Sequence, residues 1–144
     1  MKLQYATLLL FIFTVCNSYS QNDTTRIKVH NKEHFLTTVI GYTITGTYLY
    51  DGEAEPIVQL NANGTGIFQQ KDLTRNNIIW GIESNANGNP KYEEGFNSAA
   101  YTLWYKNNAD NDEKWVATQF SIHYDKKKIF IAGERSKEYQ EEIK

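Results

Sequence analysis

In this 144-residue chain, the residues most suggestive of chemistry lie together at His30-Asn31-Lys32-Glu33-His34. Their spacing is that of H-x-x-E-H zinc sites, where two imidazoles one helical turn apart hold the metal and the carboxylate activates water. A helix drawn here begins at Asn31 and leaves His30 outside it, and a catalytic zinc needs a third protein ligand in a cleft. The five residues therefore read as exposed and polar, and no metal is expected. Asn108, Asp110, Asp112 and Glu113 gather oxygen ligands as a calcium loop does, yet lack the glycine and distal bidentate glutamate of an EF-hand. Asp51, Glu53 and Glu55 form a second acidic loop that reads as solvated. Ser121 and His123, two apart on a strand, have Cβ atoms roughly 7 Å apart, and nothing marks an oxyanion hole. Lys126-Lys127-Lys128 suits a turn that protects a sheet edge and keeps the protein soluble. No glycine-rich phosphate loop stands between a strand and a helix. The chain is accordingly read as non-enzymatic, with no catalytic residue and no cofactor.

The elements that must position these side chains are strands. Segments rich in Tyr, Trp, Ile, Val and Thr alternate with clusters of Asn, Gly and Asp about every ten residues, the rhythm of an antiparallel barrel or sandwich. Tyr42 to Tyr50 places larger apolar groups at even positions and mostly threonine at odd ones, a period of two with one buried face. Pro56–Leu60, Gly66–Gln70, Ile78–Ile82, Ala99–Lys106, Trp115–Tyr124 and Lys128–Ala132 follow as strands, and Arg26–Val29 could add an edge strand. Asn61-Ala62-Asn63-Gly64 and Asn85 to Pro90 are the strongest turns, because Asn-Gly accepts the positive φ of a tight hairpin. Asn31 as cap, Gly41 as stop, and Phe35, Leu36, Val39 and Ile40 at helical spacing predict a short helix before the first main strand. Ser136 to Lys144 is charged and reads as a short helix or a frayed tail. Seven or eight antiparallel strands favour closure into an up-and-down barrel, since closure removes unpaired edges.

Residues 1–20 have the chemistry of a cleavable export signal. Lys2 supplies the positive end, Leu8 to Phe13 the apolar run, and Ser18-Tyr19-Ser20 small residues at −3 and −1 before Gln21. An uncharged stretch of about 11 residues is too short to cross a bilayer of about 30 Å, so no stable membrane span is expected. A lipoprotein reading through Cys16 is less favoured, because Val15 stands where Gly, Ala or Ser belongs. Cleavage after Ser20 makes the protein secreted or periplasmic and removes its one cysteine, and with it disulfide chemistry. Without Lys2 the balance is 14 basic to 17 acidic side chains, net −3, spread along the chain. That distribution argues against nucleic acid, whose phosphates need a clustered basic surface. The mature chain of about 124 residues has room for one core and no second domain. Residues 21–41 are its extension with the short helix, 42–135 the barrel and 136–144 the tail.

Gly46-Thr47-Tyr48, Leu60-Asn61-Ala62-Asn63-Gly64-Thr65-Gly66, Ile79-Trp80-Gly81-Ile82 and Ile129-Phe130-Ile131 followed by Arg135 resemble the lipocalin-like, or calycin, domains of exported bacterial proteins. The resemblance implies a barrel that begins with a Gly-x-Trp strand, here carrying Tyr48 for the Trp. It also implies that Gly46, Tyr48 and Arg135 close the barrel floor, with Arg135 over the Tyr48 ring in a cation–π contact worth about 0.5 to 2 kcal/mol. It further implies a lumen that binds a small, largely apolar molecule.

Sixteen aromatic residues beyond the leader permit two states of that lumen. In one, Tyr48, Trp80, Tyr101, Leu103, Tyr105, Phe120 and Ile122, with Tyr42, simply fill the core. In the other, those seven line an open cavity and their hydroxyls and indole N–H provide its polar contacts. The function expected is that of an exported carrier or sensor of a small hydrophobic ligand. The alternative is a filled barrel whose loops Asn85–Asn97 and Asn107–Glu113 bind or inhibit another envelope protein.

Overall fold

The computed structural model describes residues 24–111 and 114–139. The strands are β1 (Thr25–Val29), β2 (Lys32–Thr37), β3 (Gly46–Tyr50), β4 (Val58–Leu60), β5 (Thr65–Gln69), β6 (Arg75–Ser84), β7 (Tyr92–Gly95), β8 (Ser98–Asn107), β9 (Val116–His123), β10 (Lys128–Ile131) and β11 (Arg135–Glu138). The run β3-β4-β5-β6-β8-β9-β10-β11 pairs antiparallel in chain order, and β11 returns to β3 with Arg135 opposite Tyr50 and Ser136 opposite Leu49. Eight strands thus close an up-and-down barrel. No α-helix occurs among the described residues, and so no helix among them is long and apolar enough to cross a membrane. The expected export leader, residues 1–20 with Cys16, lies outside the described residues.

Period-two alternation supplies the core. Tyr101, Leu103, Phe120, Ile122, Ile129 and Ile131 point inward from three successive strands, facing Tyr48, Leu60, Ile78, Trp80 and Ile82. The centre holds an aromatic chain in which Phe120 meets Tyr48 and Tyr101 edge to face, with centroids 6.1 and 6.2 Å apart. Residues 38–45 cross the end of the barrel near Gly46 and add Ile40 and Ile44 to this core.

The expected helix over 31–41 is a correction. His30 and Asn31 turn the chain at positive φ, and Lys32–Thr37 is strand β2. Its partner explains why: β5 covers β6 only at Arg75–Ile79, and β2 takes up the edge that remains at Ile82–Ser84. The four apolar residues at helical spacing do not share a face. Leu36 enters an outer cluster with Ile27, Val29 and Trp115, Ile40 enters the barrel core, and Val39 is exposed. The outer cluster sits on Ile79 and Trp104, and Gly81 makes room for it, since a Cβ there would lie 2.7 Å from the Leu36 Cβ.

The charged tail is likewise corrected at its start, where Arg135–Glu138 is the strand that closes the ring. The first barrel strand begins at Gly46 rather than Tyr42, and Tyr42 lies at the rim, not in the core. Residues 92–95 form the edge strand β7, which pairs with the first half of β8 while β6 pairs with the second half.

Candidate functional site: the Arg135 mouth

The middle of the barrel is occupied by side chains. Tyr48, Phe120 and Ile122 are fully buried and line none of the cavities described here. The Tyr48 hydroxyl donates to the Ile44 carbonyl, and burial pushes its pKa up. The Trp80 indole N–H donates to the Thr65 carbonyl at 2.9 Å and the Asn61 carbonyl at 3.2 Å. The polar atoms expected to greet a ligand at these two positions are therefore spent on backbone. Tyr101 packs between Phe120 and Tyr92, and its pKa is pushed up to about 12 by burial, with Tyr42 and Tyr92 adding to it.

Leu103 and Tyr105 do reach open space, at the end of the barrel where β3 finishes and β11 begins. A cavity of about 130 Å³ opens there. Its floor is Val58, Ile78 and Leu103, its walls are the rings of Tyr50, Phe68 and Tyr105, and exposed Ala132 and Glu134 stand at its rim. Phe68 and Tyr105 stack in parallel, 5.5 Å apart at 8°. Burial raises the Tyr105 pKa, and the Arg135 charge opposes that shift.

Arg135 forms the remaining wall, although it is only 5% exposed. Its Cζ lies 4.7 Å from the Tyr50 ring centre and 4.9 Å from that of Phe68. Nη2 donates to the Gln69 carbonyl at 3.3 Å and the Tyr50 hydroxyl at 3.4 Å, while buried Nη1 has no partner. No carboxylate pairs with Arg135 among the described residues. A planar guanidinium suits a slot between rings, which a lysine ammonium would fill poorly.

The expected contact of Arg135 with Tyr48 is replaced by one with Tyr50 and Phe68. Register is the cause: Arg135 stands opposite Tyr50, two residues beyond Tyr48 on the same face. Gly46 meets a different cation of the same strand. A Cβ at Gly46, whose φ is +138°, would fall 2.7 Å from Lys137 Cε, and Lys137 Nζ donates to the Thr45 carbonyl. Gln69, buried beside the mouth, braces its loops by accepting from the Ile57 N–H at 3.1 Å and donating to the Leu73 carbonyl at 3.3 Å.

The H-x-x-E-H residues part company on the β1–β2 hairpin. His30 is in the turn, Glu33 pairs with Arg26 on the surface, and His34 turns to Glu83 of β6. Glu83 accepts from His34 Nδ1 at 3.0 Å, from the Trp104 indole and from Lys91 Nζ at 3.5 Å, and the His34 and Trp104 rings lie 4.7 Å apart. A groove of about 580 Å³ adjoins this clamp where β6 and β8 part, yet no nucleophile faces the imidazole in the contacts His34 makes. Among the described residues no three His, Cys, Asp or Glu gather to hold a metal. Ser121 and His123 lie on the outside of β9, where His123 meets the Phe130 ring edge-on. Asp110 ties the 107–114 loop to Lys106 and Lys114, and Asp112 and Glu113 lie outside the described residues.

Sequence reasoning missed Tyr50, Phe68 and Gln69 at the mouth, and Glu83 and Trp104 in the clamp. Tyr50 shares the parity of Tyr48, which was a usable signal, whereas the Glu83–His34 pairing joins positions 49 apart and leaves no local trace. No family model, curated protein or solved structure matches the chain.

Proposed function

We propose that the protein is an exported, non-catalytic carrier or sensor that holds one small, largely apolar molecule in the cavity at the Arg135 mouth. The observation that carries this reading is the cavity of about 130 Å³ between stacked rings, beside a barrel centre that is otherwise filled. An apolar protein cavity of about 150 Å³ takes up benzene, so the space suits a single six-membered ring or a short chain. Long acyl chains are excluded, because Tyr48 and Phe120 block the way through the barrel. The leader supports action outside the cytoplasm, in a secreted or periplasmic setting. The likeness to lipocalin-like domains, with their ligand-binding lumens, agrees with it.

The second reading, an interaction module for another envelope protein, has one observation of its own. Phe96, at the tip of the Asn85–Asn97 segment, is 96% exposed, with Tyr92 and Tyr42 exposed toward the same barrel end. A thermal-shift series with neutral ring compounds of benzene size separates the two. A ligand at 100 times its Kd adds about 2.7 kcal/mol of stability, and Thr118→Phe abolishes the shift, since half-buried Thr118 of β9 also lines the cavity and the larger side chain fills it. No shift with any compound overturns the carrier reading.

A further inference from the structure

We infer that the molecule held at this mouth carries a carboxylate, received by Arg135: a small aromatic or short-chain monocarboxylic acid. The inference rests on the carrier reading and adds the charge of the ligand to it. A guanidinium as enclosed as Arg135 is held at a cost unless an opposite charge or full hydrogen bonding compensates it. Neither is present. Two neutral oxygens take Nη2 at 3.3 and 3.4 Å, the Tyr50 and Phe68 ring centres lie 4.7 and 4.9 Å from Cζ, and Nη1 is left with nothing. Arginine presents its N–H groups in a rigid fork that fits a carboxylate, and such charge-assisted bonds are the strong ones.

The remaining wall fits the other end of such an acid. Phe68 and Tyr105 offer stacked ring faces, and Leu103 and Ile78 an apolar floor. The volume is about that of one ring or a short chain, with no room for a long tail, so the acid group of such a ligand lies at the open mouth beside Arg135. Glu134 at the rim is the one acidic side chain in the lining. It is exposed and forms no ion pair with Arg135, so solvent screens its repulsion of an incoming anion.

The test is titration calorimetry of the signal-free protein with benzoate, toluene and acetate as probes. Benzoate binds at least about tenfold more tightly than toluene, the least that a charge-assisted hydrogen bond at a buried site contributes, and acetate does not saturate. Arg135→Met removes the preference, so that the variant binds benzoate no more tightly than it binds toluene. Glu134→Gln, on the exposed rim where folding is not at stake, changes benzoate by less than about threefold, because the repulsion is screened. Toluene binding with no gain for benzoate overturns the inference and leaves the carrier reading standing. Acetate binding as tightly as benzoate also overturns it, because the cavity then has no part in recognition. Binding of none of the three overturns both.

Discussion

Arg135 stands directly across from Tyr50 at the seam of the barrel, its guanidinium carbon 4.7 Å from the centre of the phenol ring. The contact joins the last strand of the ring to the first. It also places a positive charge beside two aromatic rings at the cavity of about 130 Å³.

The charge and the ring make unequal contributions at this seam. Arg135→Met keeps the packed stem and removes the desolvated charge, so it changes stability by less than about 1 kcal/mol. Tyr50→Ala strips one face of the guanidinium and leaves the charge behind, at a cost of about 2–3 kcal/mol. Urea unfolding of the two variants measures both. A larger loss for Arg135→Met would mean that the charge itself holds the seam.

At Gly46 two penalties are separable. Gly46→Ala costs about 1–2 kcal/mol because φ is +138° and because the new methyl meets Lys137. The Lys137 atoms concerned are the far end of a flexible side chain, so the backbone accounts for most of the loss. A double-mutant cycle with Lys137→Ala therefore shows a coupling below about 0.5 kcal/mol, and a coupling that restored full stability would assign the loss to the clash instead.

Alkaline pH destabilises the fold. Burial raises the pKa of Tyr48, Tyr105, Tyr124 and Tyr101, the last to about 12, from an ordinary 10.0. The folded state thus keeps protons that the unfolded chain gives up, and stability falls as pH rises above about 10 toward 12. Lys137, whose pKa burial lowers, acts in the opposite sense just below its ordinary 10.5, as one group against four. In a pH titration the phenolate absorbance of these tyrosines should appear together with loss of the near-ultraviolet dichroism. Early ionisation of these four tyrosines in a folded protein would contradict the burial argument.

Glu83 fastens the outer hairpin to the barrel. Glu83→Ala leaves His34 and the Trp104 indole without their acceptor and costs about 2–3 kcal/mol. The loss should be local first: amide exchange quickens in β1 and β2, while β9 and β10 remain protected. Uniform acceleration across the barrel would show that the hairpin is part of the global unit.

How much of this was legible depended on whether a strand's inward positions are apolar. The alternation of Tyr101, Leu103 and Tyr105 against Thr102, Trp104 and Lys106 predicts β8 correctly, and Phe120 and Ile122 do the same for β9. β11 escaped because its buried position is Arg135 and its half-buried ones are Ser136 and Lys137, so hydropathy reads a tail where the ring closes. β7 escaped for the opposite reason, having every residue exposed. β2 was mistaken for a helix because Phe35, Leu36, Val39 and Ile40 mimic a 3.6-residue period while serving different surfaces. The mouth itself depends on register, which sets Arg135 against Tyr50 rather than Tyr48, and register emerges only when both strands are placed.

The order of the strands along the chain carries a consequence for biogenesis. The ring is sealed between Leu49-Tyr50 and Arg135-Ser136, the earliest and the latest of its eight members to leave the ribosome. A nascent polypeptide therefore carries two bare margins, on β3 and on β10, until the final segment emerges. A stop codon just ahead of Arg135 would leave an open, adhesive sheet that a chaperone must shield, even though nearly every apolar residue of the interior had already been made.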